Sequence, residues 1–111
     1  MTSETRRITF SAVELVQAIS KHRRDEKQPL PESRIRGVKV ESGEGPVPRI
    51  SLTLDPAGGD GATSMDFRPT EVAVALIKFC RLKKIPLPKR ANKSLGIDHG
   101  QIALVLQLGE H

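Results

Sequence analysis

The sequence offers few side chains that could act as a nucleophile or as an acid–base pair. Its one cysteine, Cys80, would need an exposed, electropositive setting to react, yet it lies on the apolar side of a helix-like stretch, so we expect a buried, inert thiol. Asp98 and His99 stand directly before Gly100, which is typical of a tight turn rather than of an oriented acid and base. We therefore expect no catalytic residue and a protein that is not an enzyme. Catalysis by Cys80 or His99 is a third hypothesis, after the two binding functions described below.

Metal ligands and phosphate-binding loops are also poorly represented. The histidines His22, His99 and His111 are scattered, with no CxxC, HExxH or HxH spacing that would hold a zinc ion. The glycine-rich segment 58–61 follows Asp55 and precedes a short predicted strand. It lacks the alternating carboxylates of a calcium loop and the helix start that a phosphate cradle needs. We expect a linker loop there, and neither a metal nor a cofactor.

Basic residues form the most distinctive pattern in the chain. Between residues 78 and 93 there are seven of them and no acidic residue. They are Lys78, Arg81, Lys83, Lys84, Lys89, Arg90 and Lys93. A solvated helix face with cations at its C-terminal end would explain part of this run. The other interpretation is one continuous surface that binds an anionic partner, with these seven residues as its contacts.

Two kinds of anionic partner fit such a surface. An acidic protein surface and a nucleic acid both attract Lys and Arg, and the binding of phosphates depends on salt. Stacking on single-stranded bases is not expected, since all three phenylalanines lie at predicted core positions. The leading hypothesis is a non-enzymatic binding or regulatory module. The alternative is a protein that contacts nucleic-acid phosphates non-specifically through the same residues.

The composition indicates an ordinary small protein. The chain has 111 residues, of which 37% are hydrophobic and 28% charged, and its formal net charge is +5. One cysteine, with no charged-then-apolar leader, favours a reducing cytoplasmic location. The longest unbroken apolar stretch, 72–77, is far shorter than the roughly 20 residues of a membrane helix, so no membrane partner is expected.

Two helices are predicted from the spacing of apolar residues. Ser11 and Glu14 form a capping-box pattern at the start of a helix over 12–23, with Phe10 and Leu15 placed as a hydrophobic staple. A second helix begins at residue 69 or 70 and runs to about 84. The sequence Ile-Pro-Leu-Pro at 85–88 ends it, because proline lacks an amide donor.

Alternating residues predict the strands. They lie at 6–10, 34–41, 49–55, 64–67, 94–97 and 101–108, with a bulge at Gly37. The expected fold is α+β, with about five antiparallel strands in one small sheet and two helices on one face, in the order β-α-β-β-(β)-α-β-β. We expect one domain over 6–109 after a flexible segment 1–5. No internal repeat is expected.

The last strand is apolar on both faces over 102–108. Such a strand is either central in a sheet or covered by another subunit, so a homodimer through 102–108 is a further hypothesis.

The segment 85–95, Ile-Pro-Leu-Pro-Lys-Arg-Ala-Asn-Lys-Ser-Leu, followed by a predicted hairpin, resembles segments of small uncharacterised bacterial proteins. The resemblance covers about a tenth of the chain in this segment and about a fifth with the hairpin, and it implies no particular activity.

Overall fold

The computed structural model describes residues 3–31, 34–42, 48–55 and 63–109. These residues form six strands and two helices. In chain order the elements are β1 (Ser3–Phe10), α1 (Ala12–Asp25), β2 (Ile35–Ser42), β3 (Pro48–Leu54), β4 (Thr63–Phe67), α2 (Pro69–Leu82), β5 (Asn92–Asp98) and β6 (Gln101–Gly109). Within the described residues, neither helix has the length and hydrophobicity of a membrane span.

The α+β class and the two helices are confirmed, but the prediction of one five-stranded sheet is wrong. The strands form two antiparallel sheets of three, in the orders β1-β6-β5 and β2-β3-β4. One face of each sheet packs against the helices in a shared hydrophobic core. The two sheets approach each other where Cα atoms of β5 come within 8 Å of β2 and β3. The sequence shows where strands occur, but not that β1 pairs with a strand almost 100 residues away.

Local signals in the sequence locate the turns and caps well. The Ser11 hydroxyl accepts from the Glu14 amide at 3.1 Å, and the Glu14 carboxylate accepts from the Ser11 amide at 2.9 Å, which confirms the capping box. The register of β2 against β3 shifts between Ile35 and Gly37, where the bulge was predicted. β1 begins at Ser3, three residues earlier than expected, and residues 1 and 2 lie outside the described part.

The last strand is apolar on both faces because it is central. β6 pairs with β1 along one edge and with β5 along the other. The turn between β5 and β6 has positive φ at both His99 and Gly100, as a two-residue type I′ hairpin requires. With both edges occupied, the segment 102–108 cannot accept a strand from a second subunit, so a homodimer there would have to use the face of the sheet.

The structure reveals an internal repeat that the sequence analysis missed. Each half of the chain has the order strand, helix, strand, strand, and the helices have 14 residues each. Positions in the first three elements of the two halves are 57 residues apart, as in Phe10 and Phe67. Nine pairs at this spacing are identical between residues 10–31 and residues 67–88. They are Phe10/Phe67, Glu14/Glu71, Ala18/Ala75, Lys21/Lys78, Arg24/Arg81, Lys27/Lys84, Pro29/Pro86, Leu30/Leu87 and Pro31/Pro88.

The pairing of strands follows the same repeat. Phe10 at the end of β1 lies opposite Ile102 of β6, and Phe67 at the end of β4 lies opposite Ile50 of β3. The first strand of each half therefore completes the sheet formed by the hairpin of the other half. This exchange ties the two halves together through backbone hydrogen bonds as well as through the core.

The two helix starts provide a test of the capping box. Replacing Ser11 by Ala should lower the free energy of unfolding by about 1 kcal/mol, because the Glu14 amide loses its side-chain acceptor. The equivalent cap of α2 is Arg68, which makes no side-chain capping bond, so Arg68→Ala is the matched control and should change stability by less than about 0.5 kcal/mol. Urea denaturation measures both. Equal losses in the two variants would contradict this account of the first cap.

Candidate functional site

The predicted basic residues follow one path through the structure. Lys78 and Arg81 lie on α2, Lys83 and Lys84 lie in the turn that ends it, and Lys89, Arg90 and Lys93 follow on the way into β5. These residues thus span the last turns of a helix, its cap and the Pro-Leu-Pro segment. The basic residues are neighbours because they follow one another along the chain, from the end of α2 into the extended segment after it.

A Schellman motif ends α2 and sets the direction of this path. The Lys84 amide donates to the Arg81 carbonyl at 3.1 Å, and the Ile85 amide donates to the Cys80 carbonyl at 2.8 Å. Lys84 has φ of 60°, the left-handed conformation that favours glycine at this position. The end of α1 repeats the motif, with Lys27 at φ 59°. In both cases a lysine two residues beyond the last helical residue adopts the left-handed backbone conformation.

Two of the seven basic residues are held by contacts within the protein. The Lys78 ammonium lies 3.1 Å from Nδ1 of His22 and within 3.9 Å of carboxylate oxygens of Asp25 and Glu26. The Lys93 ammonium donates to the carbonyls of Pro88 and Ala91, at 3.4 and 3.3 Å. Lys78 thus bridges the two helices, and Lys93 stabilises the turn before β5.

The other five basic residues form an exposed group, which we call the exposed basic surface. It consists of Arg81, Lys83, Lys84, Lys89 and Arg90. The Lys83 ammonium lies 5.6 Å from the centre of the Phe79 ring, a cation–π contact. Among the residues that the structure describes, none of the five pairs with a carboxylate. Their charges are therefore directed to solvent rather than neutralised within the fold.

A polar cluster behind Lys78 was not predicted from the sequence. Arg23 and Glu71 form a two-bond ion pair between the helices, with one bond from Nη2 to Oε1 at 3.1 Å, and the Arg23 guanidinium lies 5.1 Å from the centre of the Phe67 ring. His22 is buried between Glu71, at 3.8 Å, and Lys78. A lysine ammonium can only donate, so the hydrogen bond from Lys78 requires Nδ1 of His22 as its acceptor. This chain of contacts positions the Lys78 side chain.

The two candidates for nucleophilic chemistry, Cys80 and His99, lie in the hydrophobic core and in a hairpin turn. Cys80 has no exposed surface, belongs to the hydrophobic core, and burial raises the pKa of its thiol. His99 projects from the β5–β6 turn with its side chain 94% exposed and lies 3.5 Å from Asp98. Cys80 therefore cannot serve as an accessible nucleophile.

The candidate metal ligands and the glycine-rich loop lie only partly within the described residues. Within the described part of the chain, no three His, Cys, Asp or Glu side chains converge as metal ligands would. The segment 58–61, with Asp60 and Gly61, lies outside the described residues, and so does His111.

No protein-family model, curated protein or solved structure shows a significant match to this chain.

The strained lysine at the end of α2 generates a stability prediction. Lys84→Gly should raise the free energy of unfolding by about 1 kcal/mol, because glycine adopts positive φ without the steric cost of a Cβ atom. Lys83→Gly is the control, since Lys83 has an ordinary φ of −87° and glycine there should destabilise the protein. Urea midpoints compare the two. A lower midpoint for Lys84→Gly would mean that its side chain outweighs the backbone strain.

The buried thiol generates a prediction on reactivity and pH. Burial raises the pKa of Cys80 in the folded state, so the native thiol stays protonated where an unfolded cysteine ionises, near pH 8.5. Cys80 therefore contributes to stability below that pH, and this contribution is lost as the pH rises above it. Ellman's reagent should react with the native protein far more slowly than with the protein in urea, at pH 8 and at pH 9. Equal rates would contradict the burial.

Proposed function

We propose that this protein is a non-enzymatic binding or regulatory module that engages an anionic partner through its exposed basic surface. The observation that carries the proposal is a run of five exposed cations over 81–90 with no acidic residue among them and no carboxylate paired with them in the described structure. Lys21, Arg23, Arg36, Lys39 and Lys78 all lie within 4 Å of a carboxylate. The five residues of the exposed basic surface have no such partner in the described structure, so they add to one positive field.

The local geometry favours recognition of charge rather than of shape or of bases. Phe10, Phe67 and Phe79 are all buried, with at most 7% of their surface exposed, so they offer no platform for stacking nucleotide bases. Lys89 and Arg90 follow a segment with two prolines, which limits the backbone entropy lost when a partner binds. A partner with closely spaced negative charges fits this surface, and an acidic protein segment is the leading candidate.

Non-specific binding to nucleic-acid phosphates is the alternative function, because it would use the same five side chains. The two functions predict different preferences at equal salt concentration. The first predicts tighter binding to an acidic peptide, and the second predicts tighter binding to a nucleic acid. Phosphate contacts also give a characteristic slope, in which the logarithm of the binding constant falls by about 0.9 per phosphate for each unit of log salt. Five contacts would thus give a slope of about −4.5 with duplex DNA.

The test compares a fluorescein-labelled polyglutamate peptide with a labelled DNA duplex by anisotropy, over a series of salt concentrations. Replacing Arg81, Lys84, Lys89 and Arg90 together by Gln should weaken binding to the preferred polyanion and, if that polyanion is DNA, make the slope less negative by about 3.6. These side chains are exposed, so the variant should fold normally.

A matched control removes the same number of charges elsewhere. Arg7, Lys27, Arg49 and Arg68 are exposed outside the 78–93 segment, and Lys27 occupies the same left-handed position after α1 as Lys84 does after α2. Replacing these four by Gln should leave most of the binding intact. If the control loses as much affinity as the first variant, the effect comes from net charge and the proposed surface is wrong. The same conclusion follows if neither polyanion binds at low salt.

A further inference from the structure

The interface between α1 and α2 opens to solvent as a groove of about 300 Å³. Buried apolar residues line it, including Ala18, Ala75 and Phe79, and so does Leu82, whose surface is 56% exposed. Ala18 and Ala75 are equivalent positions of the repeat. This volume is at the lower end of the range for small-molecule sites. The groove can therefore hold the apolar part of a small ligand.

Cations from both helices line the same groove. Lys21 and Arg24 come from α1, and Lys78 and Lys83 come from α2. Lys21 and Lys78 are equivalent in the repeat, and the hydrogen bond to buried His22 orients Lys78. Ammonium groups thus stand beside an exposed apolar side chain. This combination suits a molecule that carries a negative charge on an apolar body.

The carboxylate of Asp25 marks the place that such a charge would occupy. Its Oδ1 lies 3.4 Å from Nζ of Lys21, and its Oδ2 lies 3.8 Å from Nζ of Lys78. Charge-assisted hydrogen bonds are usually about 2.7–2.9 Å long, so both contacts are loose. The Asp25 side chain is also 42% exposed, and exposed ion pairs contribute little stability. An incoming carboxylate can therefore replace Asp25 between the two lysines at small cost.

We propose that this groove binds a small amphiphilic monocarboxylate. The carboxylate lies between Lys21 and Lys78, and the apolar chain extends along Ala18, Ala75 and Leu82. This ligand differs in class from the polyanion of the proposed function. The site also needs none of the four residues replaced there, so either proposal can fail without the other.

Three small molecules test the ligand chemistry. Octanoate carries both the charge and the chain, acetate carries the charge alone, and 1-octanol carries the chain alone. Calorimetric titration should show saturable binding of octanoate, with the other two weaker by tenfold or more. Amide resonances of residues 17–25 and 75–83 should shift during the titration. Equal affinity for octanol, no saturation, or shifts confined to other residues would each overturn the proposal.

Two exposed positions test the site with little risk to folding. Leu82→Ser should lower the affinity for octanoate about tenfold, whereas Val13→Ser, which removes a similarly exposed apolar residue outside the groove, should not change it. Asp25→Asn should raise the affinity about two- to fivefold, because it removes the one carboxylate that contacts both lysines and leaves only Glu26 beside Lys78. Unchanged affinity in Leu82→Ser would reject the site. The variant lacking Arg81, Lys84, Lys89 and Arg90 should bind octanoate normally, and a loss there would assign the ligand to the exposed basic surface instead.

Discussion

The exchange of first strands between the two halves is the constraint on which the rest of the structure depends. β1 extends the hairpin of the second half, and β4 extends the hairpin of the first half. Each helix follows its strand after a single residue, so the exchange also brings α1 and α2 against each other. Phe10 and Phe79 then meet edge to face, with ring centres 6.0 Å apart. Neither half keeps a complete three-stranded sheet without the other.

Differences at equivalent positions give this symmetric frame its electrical asymmetry. Asp25 and Glu26 end α1, whereas Leu82 and Lys83 stand at the same places in α2. The acids at the end of α1 lie close to Lys78 of α2 and offset its charge. The end of α2 has no corresponding acids. Over 78–93 there are seven basic and no acidic residues, whereas the equivalent segment 21–36 has six basic and three acidic ones. The positive charge of the second segment therefore comes mainly from the absence of acids.

The two glutamates of the repeat diverge in the same way. Glu14 completes the capping box of α1 and remains exposed. Glu71 instead pairs with Arg23 across the helix interface, where a partly buried, two-bond ion pair fixes geometry better than an exposed one. Pro69 and Arg68 begin α2 without a side-chain cap. One glutamate thus serves its own helix, and the other joins the two helices.

Features that depend on neighbouring residues could be predicted from the sequence. The capping box at Ser11, the bulge at Gly37 and the turn at His99 and Gly100 each follow from a few consecutive residues. The division into two sheets could not be predicted, because β1 and β6 are far apart in the chain and periodicity carries no information on partners. The repeat was missed because its nine identities are scattered singly or in short runs over the 22 positions from Phe10 to Pro31. The contacts of Lys78 were missed for a similar reason, since His22, Asp25 and Glu26 come from the other helix.

The residues after the two helices carry positive charge where backbone conformation alone would favour glycine. A left-handed conformation costs a residue with a Cβ atom roughly 1–2 kcal/mol, whereas a cation near a helix C-terminus gains about 0.3–1 kcal/mol from the helix dipole. Lysine at positions 27 and 84 is therefore less favourable for folding than glycine would be. At Lys27 the neighbouring Asp25 and Glu26 offset the added charge, but at Lys84 the neighbours are Arg81 and Lys83. The second turn thus concentrates positive charge at some cost in stability, which supports the proposed anion-binding surface.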